Sequence, residues 1–415
     1  MKLGKYSIGV GDRFTLQGKA QLSAIMKANE KGLEITPVWN KSNREHIYVG
    51  TVPADTRYEA DEAVKALNYK GAYFVDADHI NLDTVSKYVE MSDFFTLDVA
   101  SFIGKESKKE DVEAFVASCK KYMGQLQIPG IEFPLNITDE LLHEVADKFL
   151  AATQQASEIY AYLKKEKGEA NFITEVSMDE VESPQTPLEM LFILKMLADK
   201  GVPVQTIAPK FTGRFNKGVD YVGNLDQFAK EFEEDVLVIE YAVKEFGLPH
   251  DLKLSVHSGS DKFSIYPIMA KVIAKHDKGL HVKTAGTTWL EEVIGLAVAG
   301  GDALSLAKKI YENSYTRRDE LCAPYADVID IDPAQLPSIE EVNGWSGEKY
   351  ANTLRHIPGH PDYNPNFRQL IHVAYAVAAK MGNEYTDLLT KHADVVGSCV
   401  EENIYDRHLK RLFSL

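Results

Sequence analysis

The run Leu252-Lys253-Leu254-Ser255-Val256-His257-Ser258-Gly259-Ser260-Asp261-Lys262-Phe263 decides the fold. Its first half alternates apolar and polar residues over strand length, ends in a polar loop, and gives way to helical periodicity near Ser264. A strand closed by a polar loop and followed by a helix is the repeating unit of a parallel α/β architecture. Downstream the unit recurs at His281–Lys283, ending in Thr284-Ala285-Gly286. Upstream, strand candidates lie at Tyr6–Val10, Leu33–Trp39, Gly71–Val75, Phe94–Val99, Asn171–Met178 and Val202–Ala208. Eight such units predict a (β/α)8 TIM barrel rather than a doubly wound open sheet. The helix-rich stretch at about 104–170 is expected as an insertion after strand 4. The catalytic barrel then spans 1–300, and 301–415 forms a C-terminal helical extension packed on it.

Composition narrows the function. With 62 acidic against 46 basic residues the 415-residue chain carries −16, and no basic stripe interrupts it. Such a surface repels nucleic acid and anionic membranes. Three scattered cysteines exclude a disulfide framework and a thiolate zinc cluster. No apolar run reaches the ~18 residues of a membrane span, and the first residues hold no apolar signal segment. The expectation is a cytoplasmic protein acting on a small molecule or another protein. The helical tail is a candidate interface for a homo-oligomer.

In parallel barrels function sits at the carboxyl ends of the strands. Those ends carry Asp12, Arg13, Asp76, Asp78, His79, Asp98, Asp179, Glu180, Lys210, His257 and Lys283. Histidines close or lie on three strands although the chain has only 12. Neutral imidazoles converging from separate strands suit a divalent cation, so His79, His257 and His281 are the expected ligands of zinc, manganese, cobalt or nickel. Strand parity turns Lys253, Ser255 and His257 to one face, and likewise His281 and Lys283. The same parity points Glu175 inward, as a ligand, an acid or the partner of a buried lysine. Asp76 and Asp78 beside His79 suit proton transfer. Ser258 and Gly259, like Thr284–Thr288, precede helices whose free N–H groups attract anions. Lys262, Lys283, Arg214 and Lys217 supply countercharge, so the substrate is expected to be anionic. GxGxxG, P-loop, GxSxG and HExxH motifs are absent from the sequence.

The stretch Leu254–Pro267 resembles the signature of the tagaturonate epimerase family. The resemblance extends through Asp76–His79, Ser177–Glu182 with Thr186-Pro187, Gly213–Tyr221, His281–Thr287, Gly11–Arg13 and Arg368–His372. Lys210 stands where the family usually has Arg, Val181-Glu182-Ser183 replaces a Glu-Thr pair, and Asn40–Arg44 matches poorly.

The resemblance implies a metal-dependent enzyme that interconverts the keto-uronates tagaturonate and fructuronate. Inversion falls on a carbinol carbon β to the ketone, whose C–H is acidified by neither carbonyl. Simple deprotonation therefore fails. Without a nicotinamide fingerprint, retro-aldol cleavage and re-addition is the expected route. Asp78 would be the base, with Glu182 or Glu175 as the opposite acid. Arg214, Ser258 and Lys262 would hold the carboxylate, within a substrate-binding set that also includes Asp12, Arg13, Lys210, Asp261 and Lys283. Lys210 or Lys283 could instead form an imine. The remaining alternatives are a metal-dependent aldolase or isomerase of another sugar acid, ketohexose or sugar phosphate, and a non-catalytic sugar-acid-binding protein.

Overall fold

A computed structural model describes residues 1–284 and 287–415. Eight parallel strands close a barrel: β1 (Tyr6–Val10), β2 (Ile35–Ser42), β3 (Phe74–Ile80), β4 (Phe94–Asp98), β5 (Ile173–Ser177), β6 (Thr206–Ala208), β7 (Lys253–His257) and β8 (Leu280–Lys283). Each pairs with the next, and β8 returns to β1 with His281 opposite Ser7 and Lys283 opposite Gly9. Alternation sorts the side chains. Ile8, Val10, Trp39 and Val75 pack outward with Leu22 and Ile25. Leu3, Val38, Phe74, Phe94 and Ile173 form an apolar plug of their own. The next inward rows carry Asp76, Thr96, Glu175, Ser255 and His281, then Asp78, Asp98, His257 and Lys283.

Two expectations change. β3 does not stop at Val75 but continues through Ile80, so Asp76 and Asp78 are strand residues inside the barrel. Their charge is compensated across the barrel, so polarity there does not mark a strand end. The 104–170 stretch also holds more than helices. Helices Lys109–Cys119 and Asp139–Lys167 flank an antiparallel pair, Gly124–Leu126 with Leu135–Ile137, and together they form the β4-to-β5 crossover. Strands of three residues leave no periodic signal. Between β3 and β4 the described residues contain only the 3-10 turn Val85–Lys87.

From Gly301 onward the regular elements are all helical. This tail is bonded to the barrel. Asp261, just past β7, is fully buried and accepts from Arg368 Nη2 at 2.7 Å, His408 Nε2 at 2.9 Å and His356 Nδ1 at 3.2 Å. Arg368 also donates to the carbonyls of Gly218 and Leu354. Among the described residues, no helix is long and apolar enough to cross a membrane.

Candidate active site

Lys283 is the centre of the barrel interior. Gly9 on β1 makes room for it: a Cβ there would lie 2.9 Å from Lys283 Cγ. The ammonium meets Asp76 Oδ2 at 2.7 Å, Glu175 Oε1 at 2.8 Å and Asp78 Oδ1 at 3.0 Å, and it donates to the Thr96 hydroxyl. Burial disfavours the cation, but the three carboxylates outweigh burial and hold its pKa well above the ordinary lysine value. One cation among three anions leaves the carboxyls unequal. Burial, aided by Asp78 and Glu175, pushes Asp76 up to about 7 despite Lys283. For Asp78, burial is overcome by Lys283, His79 and His257, which hold the carboxyl below its usual range. Asp78 is thus held ionised, as is Glu175, whereas Asp76 is the carboxyl pushed toward its protonated form.

Above this hub lie His79, Asp179 and His257, whose ligand atoms fall within 4.8 Å of one another. His79 gets there through an irregularity. Between Ala77 and Ile80, β3 takes one more residue than β4, and His79 adopts φ +49°. The bulge places two successive side chains, Asp78 and His79, on the inner side, where plain alternation would send His79 outward. A non-glycine residue at positive φ costs of order 1 kcal/mol, which surrounding contacts must offset. His257 ends β7, and its Nε2 meets Glu175 Oε1 at 2.9 Å. That contact makes Nε2 the donor and turns Nδ1 toward Asp179 Oδ2, 3.2 Å away. Both His79 Nδ1 and His257 Nδ1 are buried and lack a hydrogen bond among the described residues.

Burial disfavours a cationic His79, yet Asp78, Asp98, Asp179 and Glu180 raise its pKa well above normal. Burial is likewise outweighed at His257, where Asp179 and Glu175 raise the pKa to about 9. Two imidazole nitrogens without a hydrogen bond, in a carboxylate-rich niche, form a donor set that could hold a divalent cation. Glu175 fits the position of the carboxylate that orients a metal-bound imidazole. Glu175→Gln is expected to weaken metal affinity or activity about 10- to 100-fold. Titrating zinc into the chelated variant and the chelated wild type, with activity as a second readout, checks this.

The other expected residues divide. His79 and His257 come together, but His281 does not join them: it lies one inward row deeper, opposite Ser255. Its Nδ1 bonds the Ser7 hydroxyl at 2.8 Å, and burial lowers its pKa to about 3. Strand stagger is the cause, and Asp179, past the end of β5, takes the third place. The anion-binding turn after β7 is spent internally. The Ser258 hydroxyl donates to Lys283 O, and Asp261 is enclosed by the tail. The Lys262 ammonium donates to the carbonyls of Asn216 and Val219. Arg214 turns outward to Asp330 at 3.1 Å. These groups are therefore not placed to hold a carboxylate. The centre of the second expected turn, Ala285 and Gly286, lies outside the described residues. Asp12 accepts from the backbone N–H groups of Phe14, Leu16 and Gln17 and shapes the turn after β1. Lys210 is partly buried, with its backbone N–H on Gln185. Glu182 is exposed on the loop that also carries Asp179. Arg13, by contrast, is buried with unsatisfied guanidinium nitrogens. Asp179 was visible as a strand-end carboxylate, but its place beside the two imidazoles was not.

A family model described as tagaturonate epimerase matches residues 1–412. A tagaturonate/fructuronate epimerase from Thermotoga maritima is 30% identical over 387 residues, covering 90% of this chain and 73% of the relative. Among solved structures, a glycerol complex of the fructuronate-tagaturonate epimerase from Cohnella laeviribosi superimposes with a TM-score of 0.82 at 22% identity, covering 99% of this chain and 82% of that one. Its native form gives 0.78 at 22% identity, covering 98% and 81%. At that identity the two structures speak for the fold.

Proposed function

The chain belongs to the tagaturonate epimerase family, and from that premise we propose that its barrel mouth interconverts tagaturonate and fructuronate by metal-assisted retro-aldol cleavage and re-addition. The observation that carries the reading is the pairing of Asp78 with His79 on the β3 bulge. An ionised base stands beside a ligand of the His79–Asp179–His257 set. Those three residues would hold the divalent ion, which supplies Lewis-acid polarisation of the ketone.

The protein's own groups do the rest. Counting from the hydroxymethyl end, the ketone is C2, the inverted carbon C4 and the carboxylate C6. Asp78 takes the C4 hydroxyl proton. The C4–O pair closes an aldehyde as the C3–C4 pair moves toward C2. The aldehyde turns its other face, C3 attacks again, and C4 returns as an alkoxide of opposite configuration. Glu182, which makes no hydrogen bond among the described residues, is assigned the proton for that alkoxide. Glu175 suits this role less: although burial alone would raise its pKa, Lys283 and the imidazoles hold it well below normal, so it carries no proton to give. Lys283 remains an ammonium locked among carboxylates, which disfavours an imine there.

The test is to incubate the metal-loaded protein and an EDTA-stripped sample with fructuronate, tagaturonate, fructose and tagatose, following each by NMR. Interconversion of the two uronates in the loaded sample alone is expected. Undiminished conversion in the stripped sample would sink the metal route.

A further inference from the structure

We propose that Arg13, Lys217 and His372 form the anchor for the substrate's carboxylate, and so retain the three-carbon aldehyde while its carbonyl turns over. The inference rests on the retro-aldol reading above and names the part of the site that reading leaves open. The C3–C4 cleavage puts the carboxylate on the fragment that must rotate, 2-hydroxy-3-oxopropanoate, while the ketone end becomes a dihydroxyacetone enediolate. Whatever holds the carboxylate decides whether the aldehyde rotates in place or escapes.

The three residues come from distant parts of the chain. Arg13 follows β1, and its carbonyl accepts from the buried Lys41 ammonium at 2.6 Å. Its guanidinium lies 4.3 Å from the centre of the Tyr375 ring, with Nε 3.3 Å from Glu45 Oε1. Its side chain is only 7% exposed. Even so, Nε and Nη1 are buried and make no hydrogen bond among the described residues. Nε2 of His372, on the tail helix Pro365–Val373, is in the same condition. Lys217 and Gly218 bring the loop after β6 against that helix. A Cβ on Gly218 would sit 3.4 Å from His372 Cβ, and Arg368 pins the Gly218 carbonyl. Lys217 in turn crosses to the β7 loop, its ammonium 3.5 Å from where a Gly259 Cβ would be, two residues beyond His257.

With Nε of Arg13 ion-paired to Glu45, its buried Nη1 and His372 Nε2 remain without a partner, which is costly unless a ligand completes them. The charges agree. Burial lowers the Lys217 pKa, and Arg44 and Arg13 lower it further against the pull of Glu180 and Glu45. Burial also holds His372 well below its ordinary value, with Arg13 and Lys217 adding to the effect. An anion would relieve that mutual repulsion, and planar guanidinium groups match carboxylates best. Arg13 follows the carboxyl end of β1 and Lys217 lies against Gly259, two residues beyond His257, so these residues border the same barrel mouth as the His79–Asp179–His257 set.

The experiment uses the metal-loaded protein and L-glycerate, the reduced form of the three-carbon fragment, with glycerol as its uncharged counterpart. Calorimetry should show wild type binding glycerate at least about tenfold tighter than glycerol. Arg13→Gln and Lys217→Gln should each lose about 10- to 100-fold in glycerate affinity and leave glycerol unchanged. In turnover, both variants should raise KM for the uronates and release dihydroxyacetone into solution. Arg13→Lys should recover part of the glycerate affinity. Lys217→Gln, at a partly exposed position, carries the test if Arg13→Gln does not fold. Glycerate bound no tighter than glycerol, or held equally by wild type and Lys217→Gln, overturns the proposal. So does inorganic phosphate binding more tightly than glycerate. Because glycerate binding needs no turnover, it still decides the anchor if the protein fails to epimerise uronates.

Discussion

His257→Ala is expected to lower the rate of uronate interconversion about a thousandfold, with loss of bound metal. On the proposed metal-assisted route the side chain would contribute a ligand nitrogen, and the ion it would help hold would supply several kcal/mol of transition-state charge stabilisation. The fold should survive, because the imidazole lies at the open end of β7 and packs on His79 rather than into the apolar plug. Metal analysis after gel filtration and single-turnover kinetics would show both effects. A variant that binds no metal yet turns over near the wild-type rate would remove the ligand set from the reaction. The loss should exceed that of Glu175→Gln, which leaves the ligand nitrogen in place.

Lys283→Met should be the most destabilising single substitution in the barrel interior. It leaves Asp76, Asp78 and Glu175 gathered around an apolar side chain with no cation between them. Breaking a buried ion pair from one side costs about 3–5 kcal/mol. Here one ammonium serves three carboxylates. Urea unfolding monitored by circular dichroism should show the loss as a lower midpoint at unchanged slope. A midpoint near that of wild type would mean the carboxylates dispose of their charge in another way. Activity should fall as well, since Asp78 owes its ionised state largely to Lys283.

The barrel was legible because each strand candidate couples an alternating run to a polar end, and eight in series leave few topologies. Parity also gave the inward face of Glu175, His257 and Lys283 correctly. Side-chain depth was not legible. His281 and His257 look alike in sequence, but the register of β8 against β7 sets His281 opposite Ser255, below the ligand set. Nor could parity give His79 its place, because a bulge adds a residue that periodicity does not count. Lys262 and Asp261 looked available to a ligand because their partners lie far off in the chain: Asn216 and Val219 for one, His356, Arg368 and His408 for the other. The unsatisfied nitrogens of Arg13 and His372 emerge only once the tail is in position.

The enclosure of Asp261 also sets an order of events during synthesis. The carboxylate is made early, but its histidine and arginine partners arrive at positions 356, 368 and 408. A nascent chain that has just completed β8 holds every strand of the barrel and still has an uncompensated acid beneath the β7 loop. Domains generally fold as units while the ribosome works from the N-terminus. In this chain the barrel mouth is finished last, after nearly all of the polypeptide has emerged. An active enzyme and a fully translated one should therefore appear together.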